Sequence, residues 1–118
     1  TKPITEPVLK IKELDAQSNF VIPRDKDTAC FDAAKLLHPL SLRLWQPGDT
    51  FVPFGMQGKK RVSDYLTDRK FSLLQKERQW VLCCGEDIIW LVGERPDNRF
   101  RIDKETKKIL MVSVEKET

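Results

Sequence analysis

The chain has 118 residues, a formal net charge of +3, 40% hydrophobic and 33% charged side chains. That suffices for one domain with one core, and charge so mixed in sign excludes wholesale disorder. No apolar run approaches the ~20 residues of a spanning helix, and the sequence starts at Thr1 with no leader pattern, so a piece of a longer cytoplasmic protein without a membrane partner is expected.

Thr1 to Pro7 is polar, holds two prolines and reads as a tail or linker. Val8 to Leu14 alternates, with Leu9 and Ile11 opposite Lys10 and Lys12, and predicts a strand. Asn19 to Ile22 predicts another, ended by Pro23, and Arg24 to Thr28 a charged turn. Ala29 to Phe31 reads as a brief strand before a tight segment at Asp32 to Leu37. Leu40 to Trp45 alternates again, with Arg43 facing away from Leu40, Leu42 and Leu44.

Gln46-Pro47-Gly48-Asp49 carries the residues of a β-turn. Apolar structure resumes at Phe51, Val52 and Phe54, and Gly55 to Gly58 reads as a loop. Val62, Tyr65 and Leu66 fall at i, i+3 and i+4, so a short helix is expected over Arg61 to Asp68. Ser72-Leu-Leu-Gln75 has capping-box spacing and opens a second, running to about Arg78. Trp80 to Cys83 and Ile88 to Val92 flank Gly85-Glu86-Asp87 as a hairpin. Arg99 to Ile102 and Lys108 to Val114 read as another, turning at Asp103 to Thr106. The fold class is therefore α+β, a β-rich layered domain of short, mainly antiparallel strands with a small helical segment.

Little in the sequence supports bond-breaking chemistry. Cys30, Cys83 and Cys84 include no Cys-x-x-Cys pair, and His38 is the only histidine, so neither zinc nor a redox pair is expected. There is no phosphate-cradling Gly-x-x-x-x-Gly-Lys-Ser/Thr loop and no nucleophile elbow. Asp64 and Asp68 share a helical face, a spacing open to acid–base work or to balancing Lys60, Arg61 and Arg69.

The most informative stretch runs from Arg43 to Lys70. A Pro-Gly-Asp turn, an apolar run and two glycines lead to the consecutive cations Lys59, Lys60 and Arg61. Residues 43–78 carry eight cations against four acids, and residues 95–108 six against three. Clustered Lys and Arg neutralise phosphates, and glycines allow close backbone approach.

Arg43 through Ile102 resembles the C-terminal domain of the tRNA(Ile)-lysidine synthetase (TilS) family. Arg43, Pro47, Gly48, Asp49, Phe51, Pro53, Gly55, Met56, Gly58, Lys60, Asp68, Lys70, Ile88, Trp90, Gly93 and Arg95 carry the likeness, with Phe31-Asp32-Ala33 as its entry. Thr50 stands where the family usually has arginine, Phe71-Ser72 replaces a common Ile-Pro, and Pro96 a common isoleucine. The resemblance implies a domain over residues 31–115, after linker or lead-in strands at 1–30 and before a tail at 116–118. It implies a parent ligase that joins lysine to the wobble cytidine of tRNA(Ile), adenylating the base with ATP (and Mg) in an N-terminal domain. That domain's Ser-Gly-Gly-x-Asp-Ser loop does not occur here, so no cofactor is expected in this chain. The partners implied are the acceptor stem of tRNA(Ile) and the parent's own catalytic domain, with a homodimer left open. It also implies a fold shared with a domain of the phenylalanyl-tRNA synthetase β subunit.

On this reading Gly55, Gly58, Lys59, Lys60 and Arg61 form a phosphate-facing loop. Arg43, Arg69, Lys70 and Arg78 extend it, and Arg95, Arg99 and Arg101 flank it. The bland alternatives are turn glycines, a solvated helix start, and Arg95 paired with Glu94 or Asp97. Trp45, Trp80 and Trp90 are open to base stacking or to core and rim roles. The rival class is a protein–protein docking module that positions a catalytic domain or second subunit without touching RNA.

Overall fold

The computed structural model describes residues 4–17 and 20–115. Strands β1 (Leu9–Asp15), β2 (Thr28–Asp32) and β8 (Lys108–Val114) form an antiparallel sheet in the order β1-β8-β2. A second antiparallel sheet orders β3 (Leu40–Leu44), β6 (Trp80–Cys84) and β7 (Asp87–Leu91) as β3-β6-β7. A two-stranded ribbon, β4 (Thr50–Phe51) with β5 (Lys60–Arg61), leads into α1 (Val62–Asp68), and α2 (Leu73–Glu77) follows.

The second sheet is the middle layer. Leu82, Cys84 and Trp90 pack on Ala29, Phe31 and Val112 of the first sheet. Val81, Cys83, Ile88 and Leu91 face Phe51 of the ribbon and Val62, Tyr65 and Leu66 of α1. Burial on both faces explains why β6 and β7 read as continuous apolar runs. A register shift between Leu82 and Cys83 inserts one residue in β7, so Ile89 and Trp90 join the same core cluster despite being neighbours. Trp90 is thus core, and Trp45 donates its indole N–H to the Lys76 carbonyl at 2.6 Å.

The expected strands at Val8–Leu14, Ala29–Phe31 and Leu40–Trp45, the Trp80–Val92 hairpin and both short helices are present, with shifts of a residue or two at their ends. Both capping-box bonds form: Gln75 N–H donates to Ser72 Oγ at 3.1 Å, and Ser72 N–H to Gln75 Oε1 at 2.8 Å.

Two expectations need correction. Phe20 to Ile22 is not a strand: Val21 is 82% exposed, and Pro23 has no N–H to offer a ladder (Asn19 lies outside the described residues). Arg99 to Ile102 is not a strand either. Asp97 Oδ1 accepts from Arg99 N–H at 2.8 Å and closes a 3₁₀ turn over Asn98–Phe100, so a local side-chain bond wins over a ladder. The expected second half of that hairpin, β8, pairs with β1 and β2 instead. The turn at Asp103 to Thr106 does form, with Thr106 N–H donating to Asp103 O at 3.2 Å.

Candidate nucleic-acid interface

The Pro47-Gly48 turn brings Arg43 and Asp49 together. Gly48 has φ +94°, Asp49 N–H donates to Gln46 O at 3.1 Å, and the Arg43 guanidinium holds Asp49 through two bonds of 2.8 and 3.1 Å. Burial pushes the Asp49 carboxyl up, but the bonds from Arg43 and Gln46 N–H outweigh it and hold the group below its ordinary value. The bond to Asp49 raises Arg43 in turn. Arg43 is therefore a turn clamp with its fork already occupied.

The glycine loop is anchored at its base. Fully buried Asp97 accepts from Val52 N–H at 2.8 Å and from the Arg99 guanidinium at 2.9 and 3.0 Å. Phe54 N–H donates to Pro96 O and Asn98 N–H to Val52 O, while Gly55 N–H reaches Asn98 Oδ1 at 3.2 Å. Gly55 has φ +88°, a conformation L side chains rarely adopt. Gly58 is different: its φ is not positive, and an added Cβ would meet no atom within 4 Å. Nothing inside the chain requires glycine there.

Lys59 and Arg61 are exposed and form no ion pair among the described residues. Lys60, between them, pairs with Asp68 one helix away. With Asp64 and Thr67 these residues line one shallow concavity. Asp68 thus balances Lys60, while Asp64 forms no ion pair among the described residues.

At the other end of α1 the chain closes in a Schellman motif. Lys70 N–H donates to Thr67 O at 2.9 Å and Phe71 N–H to Leu66 O at 3.0 Å. Lys70 takes the left-handed position, φ 61°, and is the one non-glycine residue with positive φ among those described. It too is exposed and outside any ion pair among the described residues.

Arg69 pairs with Glu94 at 2.7 Å, and Tyr65 Oη donates to the same carboxylate oxygen at 3.1 Å. Burial first, then the Glu94 charge and bond, push the Tyr65 phenol up to about 12. Asp97 takes Arg99 and Glu94 takes Arg69, so Arg95 pairs with neither and stands exposed beside this cluster. Arg78 lies apart, in a depression with Trp80 and Asp27. Of the flanking residues, Arg99 is committed to Asp97, and Arg101 donates to the Asn98 carbonyl. Sequence reading missed the Asp97–Asn98 anchor, although an Asp-Asn pair is a turn signal. It also missed the Tyr65–Glu94 bond, which spans too many residues to leave a local signal.

A family model described as the TilS substrate C-terminal domain matches residues 40–113. The chain belongs to the TilS C-terminal domain family. It is 63% identical over 103 residues to the tRNA(Ile)-lysidine synthase of Bacteroides thetaiotaomicron, covering 87% of this chain and 24% of that protein. It is 51% identical over 109 residues to the synthase of Parabacteroides distasonis, covering 92% and 25%. The chain thus spans about a quarter of the length of the curated relatives it matches. A crystal structure of a TILS C-terminal domain superposes with a TM-score of 0.74 at 16% identity, over 93% of this chain and 85% of that one. An N-terminal fragment of the phenylalanyl-tRNA synthetase β subunit from Pyrococcus horikoshii gives 0.64 at 17% identity, over 74% and 27%. These two likenesses establish the TilS C-terminal fold as the β-rich α+β architecture expected from the sequence. Among the described residues, no helix is long and apolar enough to cross a membrane, and no three His, Cys, Asp or Glu side chains cluster for a metal.

Proposed function

We propose that this chain is the tRNA-binding C-terminal domain of a cytoplasmic tRNA(Ile)-lysidine synthase and grips the acceptor stem. Lysine transfer and ATP use belong to a separate catalytic domain of the parent. One observation carries the reading: Lys59, Arg61, Lys70 and Arg95 are exposed and form no ion pair among the described residues, while the acids near them are largely engaged by other cations. The free heads cost no broken pair when they meet phosphate. The open side of Gly58 leaves room for a phosphate to approach the backbone. An A-form duplex offers phosphates and 2′-hydroxyls to such a surface, so recognition rests on shape and backbone contacts. Arg43, Lys60 and Arg69 serve the same surface by fixing its turns and helix ends.

The test is the salt dependence of tRNA binding. Lys59→Ala with Arg61→Ala should flatten the log–log slope by about two units. Adding Lys60→Ala should contribute less than one more, because Lys60 must first leave Asp68. A slope unchanged in the double variant would refute the loop's role.

A further inference from the structure

A cleft of 790 Å³ opens beside the glycine loop, within the size range of small-ligand sites. Phe20, Val21, Ile22, Phe54, Pro96 and Ile102 give it apolar walls. Tyr65, Arg69, Glu94 and Arg95 form one polar part of it, and Arg24, Asp25 and Lys26 add charge elsewhere in the lining. It is continuous with the cation loop in two ways. Phe54 lines the cleft and directly precedes Gly55. Arg61 and Arg69 cap the two ends of helix α1, a span of about 12 Å.

Three features of the cleft define a ligand. Tyr65 and Arg69 both donate to Oε1 of Glu94, and among the described residues nothing donates to Oε2. That oxygen is an open acceptor on a side chain only 9% exposed. Arg95 supplies a guanidinium with no acidic partner among the described residues. Phe54, 46% exposed, presents ring surface on the wall. An apolar slot with a carboxylate acceptor, a free guanidinium and an aromatic face matches a nucleobase bearing an exocyclic amino group, with its phosphate on the cation. An apolar peptide would leave Arg95 and the Glu94 oxygen unmatched.

We propose that this cleft takes an unpaired, amino-bearing nucleotide at the end of the RNA duplex held by Lys59 and Arg61. Glu94 Oε2 accepts from the exocyclic amino group, Phe54 stacks, and Arg95 meets the phosphate. The proposal rests on the RNA-binding reading above, and the experiment separates the two. The affinity of the 118-residue chain is measured for a blunt RNA hairpin, and for the same hairpin carrying a 3′ tail of cytidines or of uridines. The cytidine tail should tighten binding roughly tenfold, and the uridine tail clearly less. R95A and E94Q should each erase that gain, read as the ratio of tailed to blunt affinity within the same variant. Because Val21 is 82% exposed, V21D tests the cleft without touching packing, and it should also reduce the gain. K59A with R61A should weaken the blunt hairpin and keep the tail gain. Hairpin binding with no tail gain overturns the cleft proposal and spares the RNA-binding reading. Equal gain from both tails overturns the Glu94 assignment. Absence of hairpin binding overturns both.

Discussion

Replacing Lys70 by glycine should make the protein more stable and a poorer ligand for RNA. Lys70 sits at φ 61° as the left-handed residue of the Schellman motif that ends α1. A side chain in that conformation costs roughly 1–2 kcal/mol, which glycine escapes. Glycine gives back about 0.5–1 kcal/mol through the greater freedom of its unfolded chain. The backbone bonds from residues 70 and 71 to Thr67 and Leu66 are unaffected, because neither uses a side chain. The net expectation is stabilisation of about 0.5–1 kcal/mol, a rise in Tm of roughly 2–5 °C. If Lys70 contacts a phosphate, the same substitution lowers the salt slope of RNA binding by about 0.9. Thermal denaturation and a salt-titrated binding isotherm on the same sample read both quantities. A glycine variant that is no more stable would refute the strain argument. One that is more stable with an unchanged slope would show that Lys70 is tolerated there for some reason other than phosphate.

Substitutions at Glu94 and Asp97 probe the surroundings of the site. Tyr65 is the chain's single tyrosine, so phenolate absorbance reports it alone. Its folded pKa lies above the unfolded value of about 10, so its stabilisation, on the order of 3 kcal/mol, is complete below pH ~10 and is lost as pH rises through the folded value. The titration midpoint should fall near the pushed-up value of about 12, and Glu94→Gln should lower it only part of the way, because burial is the largest cause. A midpoint that Glu94→Gln leaves unmoved would refute the Tyr65–Glu94 contact. Asp97→Ala should cost about 2–3 kcal/mol in denaturant unfolding. That is less than a fully buried ion pair would cost, since the Arg99 side chain is 38% exposed. Asp97→Asn should recover part of it by still accepting from Val52 N–H, and equal losses in both variants would argue against that bond.

What was legible in the sequence follows the range of the forces involved. Local signals were reliable: the Ser72 capping box, the Pro47-Gly48 turn and the i, i+3, i+4 stripe of Val62, Tyr65 and Leu66 are each decided within a few residues. The Arg99–Ile102 strand failed because Asp97 competes locally for the Arg99 N–H, an option that apolar alternation does not register. The partner of β8 was illegible for the opposite reason. Its long pairing with β1 joins residues about a hundred apart, and nothing in Lys108–Val114 specifies it. At the site, the cation cluster was visible as composition. The division between engaged and available cations was not, since Arg43, Lys60 and Arg69 look no different in sequence from Lys59, Arg61 and Arg95.

That division bears on how binding data on this fold should be interpreted. Arg43, Arg69 and Arg99 each tie a turn, a helix end or a loop base to the sheet through a carboxylate. Removing any of them frees an acid beside the surface as well as deleting a cation. Affinity then falls whether or not the arginine ever touched RNA, because the released carboxylate repels phosphate and the loop loses its anchor. A loss of affinity in such a variant is therefore weak evidence of contact. The exposed lysines and arginines without a carboxylate partner carry no such ambiguity. Their loss changes the number of counterions released and little else, so the salt slope is the quantity that separates a gripping residue from one that holds the grip in shape.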